Sequence, residues 1–403
     1  MSRIWALPNG WSWTNLENLS DVVSKGTTPT SLGVGYVGVG VPFIRAEDVN
    51  GGAVTPRAVA FHVDIETHNS ILARSQLRSG DLLITIAGTL GRVGFVPNDA
   101  PQLNCNQAVA FARLKQSQIN PKYACFACQH ESVLSNLVSL QRVGTIGNLN
   151  LQQIREFQLP VPSLAEQYRI ITILDKADRL RTLRRYALEL SESYLQAVFL
   201  DVFGDPMTNP KDWDVVHLDD NLTFITSGSR GWAEHYSDEG DIFLRIQNVG
   251  KNQLLLDDIT YVRAPDTAES KRTRVQSGDL LISITADLGR TAVIPKNFPT
   301  AYINQHLVLL RLRDLDPVFV AEYFSVPSGR AQILRLDREG VKSGLNFDDI
   351  RGLSVFSPPA DLQEHFVRVY SKFRRVEAQQ REALRQAEHL FQTLLHRAFQ
   401  GEL

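Results

Sequence analysis

Two long stretches of the chain place residues on one helical face at alternating spacings of three and four, the pattern of a coiled-coil seam. In the first stretch the seam positions are Ile170, Ile173, Ala177, Leu180, Arg184, Ala187, Ser191, Tyr194 and Val198. In the second stretch they are Phe366, Val369, Phe373, Val376, Gln380, Ala383, Ala387, Leu390 and Leu394. The pattern predicts one helix from Pro162 to about Phe203 and another from Pro358 to about Phe399, each roughly 60 Å long.

A seam of this kind needs a partner surface. We expect the two helices to pack on each other in antiparallel directions, although each could instead pack on its own domain. Arg184 and Gln380 occupy the same polar position in the middle of the two seams. Because the middles of an antiparallel pair meet, we expect these side chains to lie near each other and to help fix the register.

The residues before each long helix follow a different pattern, in which short apolar runs are bounded by Gly, Pro and Asp. VPFIRAEDV (residues 41–49) and DLLITIAG (residues 81–88) are typical of strands. YACFACQHESVLSNLVSL (residues 123–140) is typical of an amphipathic helix. Pro-rich segments, LPVPSLAEQ and FSPPADLQE, then mark the start of each long helix.

The same segments occur twice. SGDLLITIAGTLGR (residues 79–92) and SGDLLISITADLGR (residues 277–290) are identical at ten of fourteen positions. In the same order, residues 8–11 match 210–213, PFIRAEDV matches IFLRIQNV, and IGNLNLQQI matches KSGLNFDDI. The offset falls gently from 202 to 196, so the chain is a tandem duplication of units of roughly 200 residues.

The duplication predicts an α+β protein in which two similar globular domains of mixed α/β structure are separated by two long antiparallel helices that form a coiled coil. Two similar domains in one chain also suggest pseudo-two-fold symmetry. We expect the globular domains at residues 1–159 and 208–356, and the helical segments at residues 160–207 and 357–403.

Composition adds little to this prediction. The 403 residues carry a net charge of −2, which does not by itself indicate a nucleic-acid partner. No apolar run reaches the roughly 18 residues of a membrane span, and the N-terminus lacks a signal peptide, so we expect a cytoplasmic protein. Cys125 and Cys128 have the spacing of half a metal site, but no second pair completes it, and we expect them on the apolar face of a helix with no metal.

The sequence contains no recognisable catalytic motif. It has no GxxxxGK[ST], no HExxH and no GxSxG, and the glycine-rich GTLGRVG is not kept in the second copy, where Ala286 replaces Gly88. The duplicated features are strands, turns and a spacer, which favours a recognition scaffold over an enzyme. Two domains held apart by a rod suit a target with two half-sites, such as double-stranded DNA.

Over nearly its whole length the chain resembles the specificity subunit of a type I restriction-modification system. The motifs that carry the resemblance are the two PxxW openings, SKGTTPT and TSGSRGW, the paired SGDLL strands, the GxLN segments, the Pro-rich helix starts, FGDP after the first helix and AFQGEL at the end. Their order, and their occurrence twice, make the resemblance specific.

The resemblance implies that each globular unit is a target recognition domain for one half of a bipartite DNA sequence. The two helices would form a conserved spacer and dock two modification subunits, which bind S-adenosylmethionine and methylate adenine. Restriction subunits, which use ATP and magnesium, would join the complex. This chain would then hold no cofactor, catalyse no reaction and have no membrane partner.

For DNA contacts we select the Gly-rich turns and the arginines that the repeat pairs. In the first domain the candidates are Lys25, Thr27, Arg45, Arg92, Arg142 and Thr145. In the second domain they are Ser229, Arg230, Arg245, Arg290, Lys342 and Ser343. Arginines shared by both copies could equally serve the fold, so positions that differ, such as Thr89 against Asp287, are better candidates for sequence readout.

Two other functions remain open from the residues alone. The chain could be an interaction protein whose domains bind protein or carbohydrate, or a DNA-acting enzyme with an unrecognised site. A neighbouring adenine methyltransferase gene would favour the specificity subunit. The near-neutral charge also predicts that this chain alone binds DNA weakly, and that modification subunits supply much of the phosphate contact.

Overall fold

The computed structural model describes residues 7–139, 148–337 and 344–403. The chain divides into two compact units. The first contains residues up to Arg185 together with Ala383–Leu403, and the second contains Tyr186–Glu382. Each unit therefore includes part of both long helices, and the predicted domain limits at 159, 207 and 356 stay a prediction.

The described part of the first repeat contains short strands and four short helices before the first long helix. The strands are β1 (Ser12–Asn15), β2 (Ser20–Lys25), β3 (Val41–Ile44), β4 (His62–Val63), β5 (Gln76–Leu77), β6 (Asp81–Thr85), β7 (Val93–Phe95), β8 (Leu103–Cys105), β9 (Val109–Leu114) and β10 (Gln158–Val161). The helices are α1 (Ile65–Asn69), α2 (Pro121–Gln129), α3 (Glu131–Ser139), α4 (Leu151–Glu156) and the long α5 (Leu164–Phe203).

The second repeat follows the same plan. Its strands are β11 (Val215–His217), β12 (Leu222–Ser227), β13 (Tyr236–Ser237), β14 (Asp241–Leu244), β15 (Thr260–Val262), β16 (Leu280–Ser283), β17 (Thr291–Val293), β18 (Ala301–Ile303), β19 (Leu307–Leu312) and β20 (Ser354–Phe356). Its helices are α6 (Leu218–Asn221), α7 (Ala268–Thr273), α8 (Pro317–Tyr323), α9 (Pro327–Leu334), α10 (Phe347–Arg351) and the long α11 (Ala360–Gln400).

Two four-stranded sheets form the globular part of each unit. In the first unit their orders are β2–β9–β6–β7 and β4–β3–β8–β5, and β1 pairs with β10. In the second they are β12–β19–β16–β17 and β13–β15–β14–β18, and β11 pairs with β20. The repeat seen in the sequence is thus a repeat of sheet order, which confirms two similar mixed α/β domains accompanied by two long helices.

The repeated SGDLL segment forms the strand that is buried on both faces. In β6, Leu83 packs with Phe111 in the core between the two sheets, while Leu82 and Ile84 face the core formed with α2. A strand covered on both sides must be apolar at consecutive positions, which explains the continuous run in both copies. In the second unit Leu281 packs in the core between the two sheets, and Leu280 faces the core formed with α8.

Two predicted elements are shorter than their sequences suggested. The strand predicted over VPFIRAEDV ends at Ile44, because the Arg45 amide donates to Asp48 Oδ2 at 2.7 Å and a 3-10 turn follows over Ala46–Asp48. The predicted helix over residues 123–140 is interrupted at His130, where the backbone is extended. His130 Nδ1 lies 3.3 Å from the Ser132 amide at the start of α3 and accepts its hydrogen bond.

The long helices run antiparallel in both units. In the first unit Arg185 pairs with Glu388 at 3.0 Å, and the Arg181 guanidinium lies 3.5 Å from the centre of the Phe391 ring. In the second unit the rings of Tyr194 and Phe373 stack at 5.0 Å, and Phe199 contacts Phe366. Both helices end at a glycine with positive φ, Gly204 and Gly401, which accounts for the repeated Phe-Gly and Gln-Gly endings.

The predicted seam is only partly correct. Ile170, Ala177, Phe366 and Ala387 are buried, but Leu180, Tyr194, Val376 and Leu390 are exposed. The buried face also includes residues outside the predicted seam: Leu174, Leu195, Phe199, Phe391, Leu395 and Phe399. The helices cover the globular cores as well as each other, so their apolar face broadens where a sheet and α2 or α8 lie beside them. Arg184 and Gln380 belong to different units, and their proximity stays a prediction.

Candidate nucleic-acid interface

In the first unit, four connecting segments meet at one end of the sheets. Strand register places Gly26, Val109, Thr85 and Arg92 in one row across β2, β9, β6 and β7. At roughly 4.8 Å per strand, this row spans about 14 Å. The segment after β3 reaches the same end, because the Asn106 amide bonds to Ile44 O at 3.0 Å. The turns that the sequence singled out are therefore neighbours in the fold.

Glycine is required where β2 leaves this sheet end. A Cβ atom on Gly26 would lie 2.1 Å from the Cys105 carbonyl oxygen, and one on Gly228 would lie 2.1 Å from the Ile303 carbonyl oxygen. The close approach lets the Thr27 amide bond to Cys105 O at 3.1 Å. The glycine shared by SKGTTPT and TSGSRGW thus positions the polar residues around it.

A buried hydroxyl group fixes the loop between β6 and β7. Thr85 Oγ1 donates to Thr89 O at 2.6 Å and accepts from the Arg92 amide at 2.9 Å. Ser283 makes the equivalent bonds to Asp287 O and the Arg290 amide, at 2.5 and 2.8 Å. Both repeats therefore hold the loop in one shape while its exposed residues differ.

The aspartate of SGD anchors the other end of the same strand. Asp81 is fully buried, and its carboxylate accepts hydrogen bonds from Arg113 Nε at 3.0 Å and Nη2 at 2.9 Å. The carboxylate of Asp279 accepts hydrogen bonds from Arg311 in the same way. Burial raises the pKa of Asp81 and outweighs the opposing effect of the Arg113 hydrogen bonds. This pair is a scaffold feature common to both repeats.

Three exposed side chains at the sheet end of the first unit are basic. Lys25 and Arg92 are exposed, and no described residue forms an ion pair with either. Arg74 is also exposed, and its Nη2 donates to Thr27 Oγ1 at 3.3 Å. Three cations on the connecting segments of one sheet end are suited to phosphate contact.

The second unit places different groups on the same framework. Arg230 is exposed, and Arg272 donates to Thr226 Oγ1 and to Ser227 O. Arg290 is bound by Asp287 at 2.6 Å, whereas Thr89 is the equivalent residue beside Arg92. His306 lies 2.6 Å from Thr285 Oγ1, at the position that Ala108 occupies in the first repeat.

Comparison with known proteins shows which family the chain is similar to. Residues 8–189 match the family described as the type I restriction modification DNA specificity domain. The chain is 22% identical, over 98% of its length, to the type I restriction enzyme StySPI specificity subunit of Salmonella potsdam and covers 90% of that protein. Identity and coverage are the same for the EcoKI specificity subunit of Escherichia coli strain K12. Residues 8–189 therefore match the type I restriction modification DNA specificity domain, and over 98% of its length the chain is similar to type I specificity subunits.

Two solved structures share the fold of this chain. The type I restriction-modification system S subunit from M. genitalium aligns with a TM-score of 0.59 and 14% identity, over 99% of this chain and 98% of that one. A chain from a structure on complex assembly and conformational transition of the type I R-M system aligns with a TM-score of 0.54 and 19% identity, over 99% and 100%. Both support the two-domain fold with long helices.

The sheet end of each unit brings together four of the twelve predicted DNA contacts. These are Lys25, Thr27, Arg45 and Arg92 in the first unit, and Ser229, Arg230, Arg245 and Arg290 in the second. Arg142, Thr145, Lys342 and Ser343 lie outside the described residues. Arg45 pairs with Glu47 at 3.0 Å and lies 4.4 Å from the Phe61 ring centre, and Arg245 pairs with Asp258 at 3.2 Å. These two repeated arginines are thus already engaged within the protein.

The DNA contacts selected from the sequence did not include Arg74 or Arg272, which the structure places at the sheet ends. Both precede SGD at the offset of 198 that relates the two SGD motifs, so the repeat alignment held the signal. Their side chains reach back to the end of β2 or β12. A pairing between an arginine after one helix and a residue after a distant strand depends on sheet order, which the sequence alone does not reveal.

The three cysteines of the chain lie in the protein core. Cys105, Cys125 and Cys128 are free and buried, and burial raises the pKa of the Cys125 thiol to about 12. Among residues 7–139, 148–337 and 344–403, no group of three or more His, Cys, Asp or Glu residues could hold a metal ion. Within the same ranges, no helix combines the length and apolar character needed to cross a bilayer.

Proposed function

We propose that this specificity subunit reads a bipartite DNA sequence, one block with the sheet end of each unit. The observation that carries the proposal is the duplicated framework. Gly26 and Gly228, the Thr85 and Ser283 hydroxyl groups and the buried Asp–Arg pairs are kept, whereas the exposed residues differ. A shared scaffold with different surface groups is what two half-sites of different sequence require.

The long helices are proposed to dock two modification subunits, which carry the adenine methyltransferase activity, and through them the restriction subunits. In the first unit α5 exposes Leu180 and Leu183, and in the second it exposes Tyr186, Leu190 and Tyr194. Large apolar side chains exposed on consecutive turns favour burial against a protein partner. We propose no catalysis and no cofactor in this chain. We propose that S-adenosylmethionine, ATP and magnesium bind to the partner subunits. Because the complex would act on DNA, we also propose that it is located in the cytoplasm.

The first experiment is a genome-wide map of N6-methyladenine with and without the gene for this chain. The proposal expects a split motif, two short blocks with a fixed gap, that is methylated only when the gene is present. Exchanging residues 1–160 for those of a relative should alter one block and leave the other and the gap unchanged. A complete absence of gene-dependent methylation, with an intact modification subunit expressed, contradicts the proposal and favours a protein-binding role.

A further inference from the structure

The second unit contains a charged cavity of about 320 Å³ where its globular part meets the long helices. Five cationic side chains line it: Lys251, Arg290, Arg330, Arg374 and Arg381. They come from the loop after β14, the β16–β17 loop, α9 and α11, so the fold gathers them from four separate segments. The volume lies within the range of small-ligand sites.

Acidic groups offset only part of this charge. The Asp287 carboxylate forms ion pairs with both Arg290, at 2.6 Å, and Arg330. The Glu377 carboxylate forms ion pairs with both Arg374, at 2.7 Å, and Arg381, at 2.8 Å. Each of these carboxylates is thus shared by two guanidinium groups. Lys251 is exposed and forms no ion pair with any residue in the described part of the chain.

The third acid of the cavity is buried behind it. Glu322 is 3% exposed and accepts a hydrogen bond from Asn252 Nδ2 at 2.8 Å, and burial raises its pKa. Even with Glu322 ionised, the five cations outnumber the three carboxylates that line the cavity. A concave site with excess positive charge concentrates the field on any anion that enters it.

The fold does not require all of these charges: Arg290 and Arg381 align with Arg92 and Arg185 of the first unit, but Arg330 and Arg374 have no cationic equivalent there. The repeat offset of 196 in α2–α3 and α5 aligns Glu322 with Phe126, Arg330 with Leu134 and Tyr370 with Leu174. The first unit therefore builds the same junction mainly from apolar side chains, and Arg374 aligns there with an acid, Asp178. Its cavity measures about 140 Å³ and has Lys122, Asp175 and Asp178 among its lining residues.

We propose that the cavity of the second unit binds a phosphate group. The exposed Arg381 presents a planar guanidinium group suited to paired contacts with phosphate oxygens, and the exposed Lys251 adds a second cation at the rim. Arg290 and Arg330 contribute positive charge while they stay bonded to Asp287. The phosphate can come from the DNA backbone or from a free phosphate compound. Arg290 lies both in this cavity and at the sheet end, so only the DNA source rests on the proposed function.

The test uses the full-length chain and two probes, inorganic pyrophosphate and a 30-base-pair duplex, the latter about three helical turns long. The variants are Lys251→Glu and Arg381→Gln, both at exposed positions. The control is Lys372→Glu, which makes the same charge change as Lys251→Glu on exposed α11 surface outside the cavity. Calorimetric titration gives pyrophosphate affinity, and anisotropy at several salt concentrations gives duplex affinity. Unchanged thermal unfolding midpoints verify that the variants are folded.

Both cavity variants should weaken binding of at least one probe about tenfold, while Lys372→Glu leaves it unchanged. Loss of duplex binding with a salt slope lower by about one identifies a DNA phosphate, and loss of pyrophosphate binding alone identifies a free phosphate compound. If neither probe distinguishes the cavity variants from Lys372→Glu, the cavity proposal is wrong. Failure of the proposed function would instead appear as missing gene-dependent methylation, which none of these titrations measures.

Discussion

Gly26 and Gly228 stand at the narrowest backbone contacts of the two sheet ends. Because a Cβ atom at Gly26 would lie 2.1 Å from the Cys105 carbonyl oxygen and 2.2 Å from that of Asn106, the β8–β9 turn must move to accept one. We expect Gly26→Ala to lower the free energy of unfolding by about 1–3 kcal/mol, measured by urea denaturation. Gly35→Ala is the matched control, since nothing lies within 4 Å of its Cβ position. Equal losses in the two variants would contradict the steric explanation.

His130 makes the stability of the first unit depend on pH. Burial, and then the neighbouring His396, lowers its pKa below the ordinary value of 6.5. As the pH falls from 6.5 towards the folded-state pKa, the unfolded chain binds a proton that the folded chain does not, so stability decreases. One proton corresponds to a slope of at most about 1.4 kcal/mol per pH unit.

His130→Asn tests this explanation. Asparagine keeps an acceptor for the Ser132 amide but does not titrate. Thermal unfolding midpoints between pH 7.5 and 5.5, about a unit either side of the ordinary histidine pKa of 6.5, should therefore vary less than in the wild type. Some dependence should persist, because burial also lowers the pKa of His68. An unchanged pH profile in the variant would assign the dependence to other groups.

At the residue scale, the repeat alignment located the shared turns but not the partners of their side chains. It paired Arg92 with Arg290, yet the two differ in availability, because Asp287 binds Arg290 and Thr89 cannot bind Arg92 in the same way. It also paired Arg45 with Arg245, whose ion pairs with Glu47 and Asp258 come from nearby loops. Conformation of those loops decides which arginine is free, and short sequence motifs do not specify it.

Among the elements, the start of each long helix is fixed by a buried glutamine from the AEQ and LQE motifs. Gln167 Oε1 accepts the Asn120 amide at 2.8 Å, and its Nε2 donates to Gln118 O at 2.9 Å and Pro162 O at 3.0 Å. Gln363 makes matching bonds to the Asp316 amide and Pro358 O. This side chain joins the beginning of α5 to the beginning of α2.

We expect Gln167→Ala to cost about 2–3 kcal/mol, because it leaves buried backbone groups without hydrogen bonds. Urea denaturation followed by circular dichroism measures the loss. Gln152→Ala is the control, because Gln152 is exposed and, within the described part of the chain, its side chain bonds only to Glu156. It should change stability by less than about 0.5 kcal/mol. A loss no greater than that of the control would show that the helix start is held by other contacts.

The exposed apolar face of α5 should bind the modification subunit. Leu183 is 54% exposed in the first unit, so Leu183→Glu should weaken copurification of that subunit at least about tenfold without lowering the unfolding midpoint. Leu256→Glu is the control, because Leu256 is 40% exposed but belongs to the loop before β15 and not to a long helix. Equal copurification with both variants would move the docking surface elsewhere.

Heptad periodicity predicted both long helices to within two residues at each end, because the pattern persists over many turns and a proline precedes each start. The same periodicity misplaced part of the buried face. A strict seam assumes one helical partner, whereas Phe391 contacts the Phe126 ring of α2 and Phe199 stacks on Phe319 of α8. Such contacts depend on which sheet and which short helices lie beside the long helices, and the heptad pattern does not specify these neighbours.

At the scale of the whole molecule, the net charge of −2 limits what the chain does alone. In the proposed function, most exposed cations near the sheet ends contact DNA phosphates. Acidic groups elsewhere in the chain balance their positive charge. Attraction to a duplex over distances beyond the Debye length of about 8 Å therefore remains weak at physiological salt. We expect the isolated chain to bind its target duplex in the range typical of nonspecific binding, about 10⁻⁴ to 10⁻⁶ M.

Adding the modification subunits should raise target affinity at least about a hundredfold and steepen the salt dependence, because their cations join those of the sheet ends in releasing counterions. Fluorescence anisotropy with the duplex identified by methylation mapping measures both quantities. Arg92→Ala should reduce the salt slope of the assembled complex by about one, whereas Arg290→Ala should reduce it less, since Asp287 already neutralises Arg290. Tight, sequence-specific binding by the chain alone at physiological salt would contradict this division of labour and assign the phosphate contacts to the specificity subunit itself.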